Sequence, residues 1–144
     1  MKKMSFQKKV VIGSIIFIAL VGYGYFKGQG LNDYTIKNEI CNVFGYNEVI
    51  DFRYSDSDFK VVYSKVIVNS DAKIDNILNI RTLYSRLSKR HNVFKRVDTI
   101  VIDLIDFSGA PVAKTTVKTN VLYGTEWGKI TQQDEMIKQA SIKF

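Results

Sequence analysis

The stretch SDAKIDNILNIRTLYSRLSKRH, Ser70 to His91, decides how the chain folds. Ile74, Ile77, Leu78, Ile80, Leu83, Tyr84 and Leu87 recur within it at helical spacing and cover a broad apolar face. The spacing predicts one long helix from about Ala72 to His91, with Ser70 or Asp71 as its cap. A helix with so wide an apolar face needs a partner surface, and the sequence on either side supplies β-forming residues.

Upstream, Glu48 through Tyr54 and Phe59 through Val68 are rich in Val, Ile, Phe and Tyr and flank Ser55-Asp56-Ser57-Asp58, which is turn chemistry. This predicts a hairpin. Downstream, Thr99 through Phe107 and Val112 through Tyr123 predict a second hairpin, turning at Ser108-Gly109-Ala110-Pro111. In its second strand Ala113, Thr115, Val117, Thr119 and Val121 alternate with Lys114, Thr116, Lys118 and Asn120, so one face reads as solvated. A short helix carrying Ile36, Ile40, Val43 and Phe44 precedes the first hairpin, capped by Thr35 and ended by Gly45. A last helix starts after Thr131, with Asp134 three residues on, and buries Met136, Ile137 and Ala140. The expected order is α-β-β-α-β-β-α, an α+β domain with an antiparallel sheet and its helices on one face. Val49-Ile50-Asp51 and Val101-Ile102-Asp103 lead the two hairpins 52 residues apart. Convergence on strand residues explains so short a likeness better than duplication, and it supports at most a pseudo-symmetric sheet.

Before this domain, a lysine-rich start (Lys2, Lys3, Lys8, Lys9) leads into seventeen uncharged, mostly apolar residues, Val10 to Phe26, closed by Lys27. At ~1.5 Å per residue they span roughly 25 Å as a helix, slightly short of the ~30 Å hydrocarbon core. Snorkelling Lys9 and Lys27, with Tyr23, Tyr25 and Phe26 at the interface, closes the gap. The expected division is a cytoplasmic tail over 1–9, a transmembrane signal-anchor over 10–26, a short linker over 27–34 and an extracytoplasmic domain over 35–144. Lysine retained inside sets this orientation, because Lys27, Asp33, Lys37 and Glu39 nearly cancel on the far side. The bilayer, a cell inner or cytoplasmic membrane, is then a partner through residues 10–26. The alternative is cleavage after the small-x-small triplet Gly22-Tyr23-Gly24.

The formal charge of +7 is mostly a feature of this leader. Residues 1–27 hold five of the 21 Lys and Arg and none of the 14 Asp and Glu, so the remainder carries only +2. With no aromatic-basic motif either, nucleic acid is not an expected partner. Cys41 is the only cysteine, so no disulfide forms within the chain, and its place beside the apolar stripe of the first helix suits a small buried hydrophobe. The single histidine, His91, has no zinc-ligand spacing and no triad signature around it. Ser55 to Asp58 is too short for a calcium loop, and Gly128-Lys129 is followed by Ile130, not by Ser or Thr, so it is no phosphate loop. No cofactor is implied. Asp51, Asp103 and Asp106 sit in or beside apolar strands, where strand ends and cross-strand pairing with Lys or Arg account for them.

One surface feature stands out. Arg86, Lys89 and Arg90 share a polar sector of the long helix, and Lys95 and Arg96 follow directly, with Asp75 the one acidic residue between Lys73 and Arg96. These five read either as a solvated face with favourable charge at a helix C-terminus or as the candidate docking patch for an acidic partner, a lipid headgroup or an envelope polysaccharide. The layout of basic tail, single anchor and small outer domain resembles that of accessory subunits in bacterial envelope assemblies such as secretion and conjugation systems. The resemblance implies a non-catalytic, membrane-anchored interaction domain whose partners are other envelope or membrane proteins. The competing expectation is a secreted or periplasmic small-ligand-binding domain released near Gly24.

Overall fold

The computed structural model describes residues 14–21, 33–55, 60–90 and 97–144. Residues 14–21 form a helix (α1) whose Ile15, Ile16, Phe17, Ile18, Leu20 and Val21 are all exposed. No helix among the described residues is long and apolar enough to cross a membrane. The rest of the expected span over 10–26 lies outside them.

The domain that follows runs α2 (Asp33–Phe44), β1 (Val49–Tyr54), β2 (Val61–Ile67), α3 (Lys73–Ser88), β3 (Thr99–Ile105), β4 (Pro111–Lys118), α4 (Thr119–Gly124), a 3-10 turn (Trp127–Lys129) and α5 (Gln133–Gln139). It is an α+β fold on one four-stranded sheet of order β1-β2-β3-β4. Both expected hairpins are present as antiparallel pairs.

The sheet is mixed, however, because β2 and β3 pair in parallel, Val61 with Thr99 through Ile67 with Ile105. The cause is α3. Its 16 residues span about 24 Å at ~1.5 Å each, and a seven-residue strand covers about 23 Å at ~3.3 Å each. The helix therefore carries the chain back along the whole strand, and β3 starts at the same end as β2. This arrangement also excludes a pseudo-symmetric repeat. The strand directions run up, down, down, up, and no rotation that keeps the helices on one side brings β1 and β2 onto β3 and β4. The shared Val-Ile-Asp is a likeness of strand composition.

Two further expectations are corrected. The last strand stops at Lys118 rather than Tyr123 because its partner β3 begins at Thr99, which pairs with Lys118. With no ladder left to join, residues 119–124 coil into α4 and bury Leu122, whose carbonyl accepts a 2.8 Å bond from Trp127 Nε1. Neither Ser70 nor Asp71 caps α3 with its side chain. Asn69 organises the turn instead: its Oδ1 accepts from the Asp71 amide at 3.0 Å, and its carbonyl accepts from Asn76 Nδ2 at 3.0 Å.

The helix-facing residues of the sheet are buried against α2, α3 and the C-terminal segments, forming one core that includes Ile36, Ile40, Val62, Val66, Leu83, Leu87, Ile100, Ile102 and Leu104. Each such aliphatic side chain contributes roughly 1.5–3 kcal/mol. Cys41 lies buried beside this core as a free thiol, and Gly45, with φ +106°, closes α2 through its amide to Cys41 O at 2.9 Å. Tyr84 stacks edge-on to Trp127 and shares a 2.9 Å hydrogen bond with Thr115 Oγ1. Thr115 donates its one hydroxyl proton to Ala140 O at 2.6 Å, so Tyr84 is the donor to Thr115. That chain ties α3, β4 and the end of α5 together.

Candidate functional site

The expected docking patch divides into two parts. Arg86, in the last turn of α3, and Arg90, two residues beyond its end, both turn toward α2, where Glu39 is only 2% exposed. Arg86 Nε donates to Glu39 Oε2 at 2.5 Å, and Arg90 Nη2 donates to Oε1. Burial pushes the Glu39 carboxyl up, but the charge-assisted bonds from Arg90 and Arg86 outweigh it and hold the group below its ordinary value. The two arginines thus fasten α2 to α3, and one of their charges is neutralised within the domain. Lys89 faces the other side of α3. It lines a shallow cleft of about 350 Å³ with Ser85, Ser88, Tyr123, Glu126 and Lys129. Lys129 is bound to Glu126 at 2.9 Å, and the Tyr123 hydroxyl is buried without a hydrogen-bond partner among the described residues, its pKa raised by that burial. Lys95 and Arg96, like His91, lie outside the described residues.

Sequence reasoning missed Glu39. Its signal was position: it falls between Ile36 and Ile40 on the buried side of a helix, where a carboxylate needs a cation.

The opposite side of the sheet is a second candidate surface. Helix-facing residues alternate with Val61, Tyr63, Lys65 and Ile67 on β2, Thr99, Val101, Asp103 and Ile105 on β3, and Lys114, Thr116 and Lys118 on β4. Among the described residues, no helix covers this face. The pairing registers align its charges in one row across all four strands: Asp51 beside Lys65, Lys65 beside Asp103, Asp103 beside Lys114. Lys114 Nζ lies 3.4 Å from Asp103 Oδ1, so the expected cross-strand pairing of this aspartate holds. Asp51 instead meets Arg53 two residues along its own strand, at 3.6 Å. Asp106, the third aspartate, has left the sheet; its Oδ1 accepts from the Ser108 and Ala110 amides and shapes the β3–β4 turn.

Apolar residues at the centre of the sheet flank the charges. On one side Arg53 sits over the Tyr63 ring, 5.7 Å from its centre, and Val101 and Thr116 continue the row. On the other side Ile67 pairs with Ile105. At the β4 edge the backbone of Lys143 exchanges two 2.8 Å hydrogen bonds with Lys114. There a cleft of about 460 Å³ opens, combining Lys65, Lys114 and Lys143 with Ile105, Val112 and Phe144. Among the described residues, no three of His, Cys, Asp and Glu gather where they would hold a metal ion.

Comparison of the chain with protein-family models, curated proteins and solved structures finds no match.

Proposed function

We propose that the chain is a non-catalytic, membrane-anchored interaction domain, an accessory subunit of a bacterial envelope assembly such as a secretion or conjugation system, and that it meets its partners with the open face of its sheet. The observation that carries this reading is the asymmetry of the sheet. One face is buried under helices; the other offers the partly exposed Val61, Tyr63, Ile67 and Ile105 around an ordered row of charges. Apolar residues grouped on an uncovered face mark a contact surface, and the charge row supplies register and selectivity. Support for the anchor comes from the seventeen uncharged residues between Lys9 and Lys27 and from the exposed apolar side chains of α1.

The basic end of α3 is a second contact surface, favoured by Lys89 at the rim of its cleft. The small-ligand alternative draws on the 460 Å³ cleft beside Lys114 and Lys143, which falls within the size range of ligand sites.

The test is crosslinking in intact cells followed by detergent solubilisation. Tyr63→Glu should abolish recovery of partner proteins, and Lys89→Glu, which leaves the Arg86 and Arg90 clamp on Glu39 intact, should weaken only contacts made by the helix end. Normal recovery with Tyr63→Glu refutes the sheet face as the contact surface. A reporter fused after Phe144 should lie outside the cytoplasm, with the protein retained in membranes after an alkaline wash. A soluble protein whose N-terminus begins near Tyr25 would promote the secreted reading.

A further inference from the structure

The charge row on the open face has a symmetry that identifies an occupant. Across β1-β2-β3-β4 the signs run minus, plus, minus, plus, from Asp51 through Lys65 and Asp103 to Lys114. Reversing the order of the strands reverses every sign. We propose that the open face is covered by a second copy of this chain, related by a two-fold axis that runs parallel to the strands between β2 and β3. This rests on the reading of that face as the contact surface.

Such an axis keeps each residue at its own height along the strands and exchanges β1 with β4 and β2 with β3 of the other copy. Asp51 then faces Lys114 of the second copy and Lys65 faces Asp103, each contact occurring twice, as an isologous interface requires. The neighbouring rows match as well. Tyr63 faces the largely buried Val101, with Arg53 opposite Thr116 at the ends of that row, and on the other side of the charges Ile67 faces Ile105. The result is an aligned sheet-on-sheet sandwich. A slip by one strand would put Asp over Asp and Lys over Lys, so the row also fixes the register. Four strands about 4.8 Å apart and seven residues long give a footprint near 450 Å² per copy. With side-chain relief, the total lies at the lower limit of specific interfaces, about 1,000–1,200 Å². Association is therefore weak and concentration-dependent, and confinement of anchored copies to one membrane strengthens it.

The deciding experiment uses the full chain in mild detergent, with two affinity tags on co-expressed copies. Asp51→Lys/Lys65→Asp/Asp103→Lys/Lys114→Asp inverts the whole row while keeping opposite signs side by side within each sheet. Wild type should co-purify with wild type and the inverted variant with itself. The mixed pair, which places like charges face to face, should be recovered more than about tenfold less. Equal recovery of mixed and matched pairs overturns the two-fold arrangement, and so does a chain that stays monomeric at the concentrations reached in membranes. Should the inverted variant fail to fold, Tyr63→Cys decides. The axis puts its two copies about 11 Å apart, so a short bismaleimide should join them, while Lys37→Cys on α2 should give no dimer; the reverse pattern refutes the proposal. If association fails but Tyr63→Glu still removes partner proteins in cells, the face serves a different protein and only the self-association falls.

Discussion

Removing both arginines from Glu39 should damage the domain far more than removing Glu39 itself, and the damage should depend on pH with a defined sign. Glu39 is 2% exposed, whereas the Arg86 and Arg90 side chains keep 47% and 42% of their surface. After Glu39→Leu the guanidinium groups remain solvated, so the cost is set by lost, partly screened attraction and stays near 1 kcal/mol. After Arg86→Ala/Arg90→Ala a buried carboxyl has no cation and must take up a proton to stay inside. Protonating a carboxyl of ordinary pKa 4.5 costs about 3.4 kcal/mol at pH 7 and about 0.7 kcal/mol at pH 5. In the wild type the folded-state pKa is lowered, so the pair contributes stability above the unfolded value of 4.5 and loses it as the pH falls through the folded one. In the double variant burial acts alone and raises the folded-state pKa, so its stability is lost as the pH rises. The deficit relative to wild type, which at both pH values also includes the lost contribution of the pair, should therefore widen by about 2.7 kcal/mol from pH 5 to pH 7. Urea unfolding followed by Trp127, the only tryptophan and 1% exposed, reads this directly. A deficit that stays flat between pH 5 and 7 would refute the claim that Glu39 is a desolvated charge held by its two partners.

Leu83→Ala and Leu87→Ala should each cost about 2–5 kcal/mol in chemical unfolding, because both side chains are wholly buried between α3 and the sheet, while Lys118→Ala should stay within about 0.5. Thr115→Val should cost about 1–3 kcal/mol by orphaning the Tyr84 hydroxyl and the Ala140 carbonyl. In that background Tyr84→Phe should cost less than it does alone, and a double-mutant cycle with no coupling would refute the hydrogen-bonded chain. Gly45→Ala should lose more than about 1 kcal/mol, since φ is +106° and the added Cβ would fall 2.0 Å from Glu48 Oε2; an unchanged unfolding midpoint would contradict this backbone geometry.

What the sequence made legible was local. The apolar spacing from Ile74 to Leu87, the turn around Gly109 and the alternation of Ala113, Thr115 and Val117 are each decided within a few residues, and each predicted its element. The direction of β3 relative to β2 is not written in either strand. It follows from how far α3 carries the chain, and both choices bury the same residues. Thr119 and Val121 continue the strand alternation, yet the ladder had run out of partner, a fact belonging to β3 and not to them. Arg86 and Arg90 read as surface charges because their carboxylate lies 47 and 51 residues away on another helix.

The parallel seam between β2 and β3 also orders events during synthesis. Val61 waits for Thr99, 38 residues further along, whereas both hairpins close over short turns. A chain emerging N-terminus first completes α2, β1 and β2 while the inner border of β2, Val62 and Val66 included, still has no neighbour. Until β3 is delivered, that border is an open edge able to accept a strand from any nascent copy nearby. Closing the seam is the long-range, and so the slow, step of folding. The vulnerable interval for misassembly is the time taken to make and dock α3.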